Sequence, residues 1–222
     1  VKSITKAKPL EELAGYLEPF NRIYILGCGT CATMTGTGGV DQVVQMKEHV
    51  QEMNKWVTGW LVMPTACDEM APADMERAAG NLDYADCALA MSCAMGVHRA
   101  AESLQKPVIP ALDTLFVGLE EEPGHFREVC DQCGQCVLGE TAGICPLTAC
   151  HKGLLNGPCG GTDGGKCEVD SDRDCAFTVI YERLKAQGRL DLMRGARSPR
   201  NYHVTLSPRR AVFNDVHDGR LP

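Results

Sequence analysis

The chain has 222 residues, enough for one ordinary domain or a domain with an appendage, and only 5% are aromatic, which leaves few large side chains to fill a core. A net charge of −7 excludes a global nucleic-acid footprint, and no apolar run approaches the ~20 residues of a membrane span, so neither nucleic acid nor membrane insertion is expected. Thirteen cysteines are several times the usual share. Their odd number disfavours complete disulfide pairing, and the opening VKSITKAKPLEEL lacks an apolar stretch ahead of a small-residue cleavage site. A reducing, cytoplasmic setting in which thiolates bind metal is therefore expected.

In chain order, Pro9 to Leu17 predicts a short helix, and the apolar run Arg22 to Leu26 (RIYIL) a buried strand ending at Gly27. Val40, Val43, Val44, Met46, Val50 and Met53 recur at helical spacing and predict a helix to about Asn54. A strand at Trp60–Met63, a helix at about Pro72–Ala79, a strand at Ala88–Met91, a helix at about Gly96–Leu104 and a strand at Val108–Leu112 follow. This alternation predicts an α/β fold, a Rossmann-like parallel sheet with flanking helices, over residues 1–119. Glu120–Glu122 reads as a solvated linker.

From Glu120 to Cys175, eight cysteines and ten glycines replace the apolar runs. Such a segment hardly buries enough surface to fold by hydrophobic contact, and bound metal would supply the missing folding free energy. Phe177, Ile180, Tyr181 and Leu184 predict a closing helix, with Gly188 as its stop. Residues 120–192 thus form a small cysteine-rich metal-cluster domain. Residues 193–222 read as an extended tail, in which Arg194, Arg197, Arg200, Arg209, Arg210 and Arg220 outnumber Asp215 and Asp218. Interspersed apolar residues favour an arm laid on a partner.

The cysteines fall into two constellations. Cys130, Cys133 and Cys136 form C-x2-C-x2-C, a spacing that lets successive sulfurs converge on one side of a tight loop, as in bacterial ferredoxins. There the Cys-Pro follows after three residues; here it comes later, as Cys145-Pro146. Cys150, Cys159, Cys167 and Cys175 complete eight potential ligands, sufficient for two [4Fe–4S] clusters or for one cluster and one four-thiolate zinc, with zinc throughout as the alternative. Spacing does not say which cysteines share a site. At the front, Cys28 and Cys31 (GCGTC) follow the first predicted strand, Cys67 the second and Cys93 the third. Parallel strands bring their carboxyl ends to one sheet edge, so these four are expected to meet in one metal site. Cys87 precedes its strand and reads as core.

Gly27–Ala32 also fits G-x-G-x-x-A, a dinucleotide fingerprint. That motif wants an acidic residue at the end of the second strand, whereas Glu48 and Glu52 fall in the predicted helix. A nicotinamide-dependent oxidoreductase is thus a minor alternative, beside a structural zinc-binding assembly module.

Glu128 to Leu192, with the long run ICPLTACHKGLLNGPCGG, resembles the C-terminal methylenetetrahydrofolate reductase domain. The whole chain, including GCGTCAT, resembles the small subunit of two-subunit bacterial methylenetetrahydrofolate reductases. The resemblance implies a large partner subunit, a barrel binding folate and a flavin (FMN or FAD). It implies that the small subunit carries iron–sulfur centres and zinc and passes electrons to that flavin, which reduces methylene- to methyl-tetrahydrofolate. This chain would then be the non-folate-binding subunit of an oxidoreductase complex, supplied by a donor such as ferredoxin or a further redox subunit. The likeness carries to Cys28, Cys31 and the eight cysteines from Cys130 to Cys175; Cys67 and Cys93 rest on the strand-end argument. The favoured allocation is two [4Fe–4S] clusters in the C-terminal eight and zinc at the front four, with the reverse, iron in front and one zinc behind, left open.

Overall fold

The computed structural model describes residues 2–68, 78 and 80–205. They form two compact units, Val1–Glu128 and Val129–Pro222. The first is α/β. Its strands β2 (Arg22–Cys28), β3 (Trp56–Met63), β4 (Cys87–Met91) and β5 (Val108–Pro110) make an all-parallel sheet in the order β3-β2-β4-β5. Helices α1 (Leu10–Leu17), α2 (Cys31–Met34), α3 (Val40–Glu52) and α4 (Ala94–Ser103) accompany it. The helix expected at Pro72–Ala79 lies outside the described residues, apart from the buried Ala78.

Residues of β2 and β4 alternate between two cores, as the period of two in a strand requires. Ile23, Ile25, Cys87 and Leu89 pack with Leu13 and Leu17 of α1 and Val43 and Val50 of α3. Tyr24, Leu26, Cys28 and Ala88 pack on the opposite face with Leu82 and Ala100. Complete burial of Leu13, Ile25, Val43 and Leu89 stabilises the sheet by roughly 1.5–3 kcal/mol per side chain. Close packing also dictates glycine at the β2 end: a Cβ on Gly38 would stand 2.1 Å from the Met91 carbonyl oxygen.

A second sheet was not foreseen. Strands β1 (Lys2–Ala7), β6 (Leu112–Glu122) and β7 (His125–Glu128) pair antiparallel in the order β1-β6-β7. The strand expected at Val108–Leu112 is therefore two strands. Ala111 is the pivot: its amide donates to Ala90 in the parallel sheet, and its carbonyl accepts from Lys8, at the end of β1. Glu120–Glu122 is not a linker but the end of β6, where Glu120 pairs with Lys2. The α/β unit consequently runs through this hairpin to Glu128, past the boundary expected at 119.

The second unit has helices α5 (Pro146–Ala149) and α6 (Ala176–Ala186) and two isolated bridges, 163–166 and 166–174, but no named strand among the described residues. Its core is small: Cys175, Phe177, Ile180 and Leu184 are buried, with Ile144, Leu154, Leu190 and Leu192 partly covering them. Of the tail expected at 193–222, the structure describes residues up to 205: a 3-10 turn at Leu190–Met193 leads into it, another lies at Tyr202–Thr205, and Arg197 is bonded back to Glu140.

Asp86 fixes where β2 and β4 begin relative to each other. Its carboxylate accepts from the Arg22 side chain at 2.6 and 2.9 Å and from the Arg22 and Asn21 amides at 2.8 and 3.0 Å. The Arg22 side chain first, then these amides, hold its carboxyl at about 2, below the ordinary 3.8. A depressed carboxyl contributes stability that is present above its unfolded value and lost as pH falls through the folded one. Chemical denaturation of Asp86→Asn should show a stability deficit at pH 6 that closes between pH 4 and pH 2. A deficit independent of pH would refute this role.

Candidate metal centres

In the α/β unit the sheet order reverses direction between β2 and β4: the chain leaves β2 for β3 on one side and returns to β4 on the other. Loops diverging at such a switch point open a crevice at the carboxyl ends of the strands. Register places Cys28 opposite Met63 and Gly27 opposite Met91, so β2, β3 and β4 end level. Cys28 is the last residue of β2, Cys31 opens α2, Cys67 sits in the turn after β3, and Cys93 caps α4. All four leave the same sheet edge. Cys87, at the opposite end of β4, is fully buried in the aliphatic core.

The thiol environments separate these residues. Burial pushes the Cys28 thiol up, but the Thr30 hydroxyl, 3.2 Å from Sγ, and the Ala66, Thr30 and Ala32 amides more than offset it. The net result is a thiol below its ordinary value, poised toward the thiolate that binds metal. Cys67 is shifted the other way, first by desolvation and then by its neighbours Cys93, Cys28 and Cys31. Burial, with the Asp86 charge nearby, pushes Cys87 up to about 12 and leaves it an inert thiol.

The antiparallel sheet braces this edge. Thr5 of β1 meets the Thr37 hydroxyl at 2.6 Å, Thr35 donates to the Cys31 carbonyl at 3.0 Å, and the Thr114 hydroxyl of β6 accepts from the Ala94 amide at 2.8 Å. None of these threonines stood out in the sequence; the one available signal, the hydroxyl residue beside a cysteine in GCGTC, points to Thr30 instead.

The glycine loop is built differently from a dinucleotide cradle. It leads into α2, a single turn, and α3 begins only at Val40. The Gly29 amide donates to the Met63 carbonyl at 2.7 Å, and a Cβ there would meet Met63 and Pro64 backbone at 3.1 Å, so this amide is already engaged by the end of β3.

In the second unit the eight cysteines divide. Cys150, Cys159, Cys167 and Cys175 line one cavity with Pro158 and Phe177. The turn at 163–166 joins Cys167 to Cys175: the Cys175 amide donates to Gly165 at 2.7 Å and the Cys167 amide to Arg173 at 3.0 Å. Cys175 caps α6. Burial raises its thiol, but the Thr178 amide and hydroxyl, the Phe177 amide and the Thr162 hydroxyl lower it below the ordinary value. The Gly161 amide donates to Cys159 Sγ at 3.4 Å. Cys130, Cys133, Cys136 and Cys145 lie outside that cavity. Their loop turns at Gln132 (φ 53°) and Gly134 (φ 75°), and the Gln132 amide donates to Cys130 Sγ at 3.3 Å. Amides turned toward sulfur suit thiolates rather than neutral thiols.

Among the described residues, no three Cys, His, Asp or Glu side chains stand close enough to hold one metal ion as placed. The front four share an electrostatic neighbourhood, and four of the rear eight share a cavity. In chemistry the donor sets fit thiophilic groups, zinc or iron–sulfur clusters alike.

Residues 109–203 match the family model described as methylene-tetrahydrofolate reductase C terminal. That stretch is similar to the C-terminal part of methylenetetrahydrofolate reductase. The match takes in β6, β7 and all eight cysteines of the second unit, and it extends beyond Leu192, where the resemblance read from the sequence stopped. Cys28, Cys31, Cys67 and Cys93 lie outside it. No curated protein and no solved structure matches the chain. No helix among the described residues is long and apolar enough to cross a membrane.

These environments predict a division among the cysteines of the first unit. Cys87→Ala should leave bound metal per chain unchanged. Cys28→Ala should lower it, and Thr30→Val should weaken retention about tenfold against a chelator, as loss of a supporting hydrogen bond does at metal sites. Equal metal loss in the Cys87 and Cys28 variants, measured by elemental analysis, would overturn the assignment.

Proposed function

We propose that this chain is the electron-transfer subunit of a methylenetetrahydrofolate reductase complex. The observation that carries the reading is the family match over residues 109–203, which encloses eight cysteines gathered in a unit with little hydrocarbon core. Cys150, Cys159, Cys167 and Cys175 would hold one [4Fe–4S] cluster and Cys130, Cys133, Cys136 and Cys145 a second, leaving zinc to Cys28, Cys31, Cys67 and Cys93. Bound there, iron–sulfur clusters take up and release single electrons. The protein's part is to present thiolates, to aim the Gln132 and Gly161 amides and the Thr178 hydroxyl at their sulfurs, and to cover them with Phe177 and Pro158.

The flavin and the folate would belong to a partner barrel subunit, and a ferredoxin or a further redox subunit would supply electrons. Residues 206–222, apolar and basic by turns, remain the segment proposed to dock the partner. Removing them should weaken association with the flavoprotein, and unchanged association in size-exclusion chromatography would rule the arm out.

Anomalous scattering at the iron and zinc edges, on protein purified without oxygen, tests the reading directly. Iron within both rear cysteine sets, with matching acid-labile sulfide, is the expected result. Colourless, iron-free protein loaded with zinc throughout would make this a structural assembly module instead. Cys159→Ala should remove about half of the rear iron and leave the other centre's electron paramagnetic resonance signal in place.

A further inference from the structure

The stretch after α6 is clamped onto the cysteine loops at two points. Arg197 Nε donates to Glu140 at 2.7 Å, its guanidinium also reaches the Leu155 carbonyl, and its amide donates to Asn156 Oδ1 at 2.8 Å. The Asn201 amide donates at 2.9 Å to Gln135 Oε1, between Cys133 and Cys136. Arg200 lies between these anchors. It walls a cavity of about 700 Å³ together with Gln135, Cys136, Val137 and Arg197. Both terminal nitrogens of Arg200 are shut off from solvent, and neither has a hydrogen-bond partner among the described residues.

A buried guanidinium without an acceptor is costly, and folds retain one only where an anion completes it. The acidic groups close by offer none: Glu140 is spent on Arg197, and nothing pairs Arg200 with Asp191, which lines the same cavity. The remaining wall that bears negative charge in function is Cys136, a thiolate whenever it ligates metal.

We propose that Arg200 is the counter-cation of the centre held by the Cys130–Cys136 loop, donating to the sulfur of Cys136 or to the group bound there. Arg197 and Asn201 position it and do not share its role. The proposal rests on the iron–sulfur reading of that loop. One electron entering the centre from an external reductant adds one negative charge, which the adjacent guanidinium stabilises. Arg200 thus holds the reduced form favourable and tunes the potential of one centre alone, as hydrogen bonds to cluster sulfurs do.

The experiment is a dithionite titration of the full anaerobic chain, followed by electron paramagnetic resonance, with iron and sulfide measured on the same samples. Arg200→Gln should shift one midpoint negative by about 59 mV, a tenfold change in a one-electron equilibrium, at unchanged iron content. Arg200→Lys should shift it less. Loss of that centre from the Gln variant while the Lys variant keeps it also supports the proposal, because only the charge differs. Unchanged midpoints at full iron content overturn it and leave the iron–sulfur reading standing, and loss of iron from both variants overturns it in favour of packing. Millimolar inorganic phosphate that shifts the wild-type midpoint but not that of Arg200→Gln would also overturn it, since a solvent anion would then be the partner. Iron-free wild-type protein is a separate outcome that sinks the underlying reading.

Discussion

A cysteine binds metal as a thiolate, and every sulfur placed beside another makes that charge harder to form. The chain gathers sulfurs and must therefore supply compensating positive potential. Cys67 shows the repulsion uncompensated, with desolvation and three neighbouring cysteines raising its thiol. Cys28 and Cys175 show the answer: hydroxyls and backbone amides converge on each sulfur and bring it below its ordinary value despite burial. Cys87 marks the opposite limit, a thiol sealed among aliphatic side chains beside a carboxylate and held neutral. One residue type thus takes three chemical characters, and the neighbours decide which. A divalent cation or a cluster among the front four would remove the repulsion at a stroke, because each thiolate then faces positive charge.

The two units meet the cost of ordering their chains differently. The α/β unit has two continuous apolar layers on either side of β2 and β4, and its stability follows from ordinary burial. The second unit has a small buried cluster at the start and along one face of α6, and its loops turn through glycines in left-handed conformations at Gly134, Gly143, Gly160, Gly164 and Gly165. Such loops gain little from hydrocarbon contact and much from a group that ties several of them together. Metal bound there, as proposed, would contribute folding free energy as well as chemistry.

The parallel sheet was legible because its strands carry short apolar runs: IYIL and ALAM could hardly be anything but buried strands between helices. The gathering of Cys28, Cys31, Cys67 and Cys93 at one edge followed from that alone. The antiparallel sheet was not legible. KSITKA buries Ser3 and Thr5 rather than a clear apolar alternation, and β6 ends in three glutamates that strands ordinarily avoid. Glu120 is tolerated there because Lys2 of the neighbouring strand pairs with it. The sorting of the rear cysteines was beyond spacing, since Cys167 and Cys175 are brought to one cavity by the turn at 163–166 and by the cap of α6. Arg197 and Arg200 looked like two more charges in a basic tail, and only their bonding distinguishes an anchor from a cation without a partner among the described residues.

What separates a metal site that stores zinc from one that moves electrons is therefore not the thiolate set. Four cysteines suit either. The difference lies in the groups around the sulfurs, which set how much additional negative charge the site accepts. Structural zinc never changes charge and asks nothing of its surroundings beyond neutralisation at binding. A redox centre gains and loses charge with every turnover, so a fixed cation or a set of amides aimed at its sulfurs acts on one state more than the other. By this criterion the rear loops have the surroundings that the proposed electron-transfer role requires. They carry amides on Cys130 and Cys159, and Arg200, whose terminal nitrogens have no hydrogen-bond partner among the described residues, lines the same cavity as Cys136. At the front edge the donors converge on Cys28, in a crevice stiffened by threonines from a second sheet, an arrangement that favours holding a site in one form.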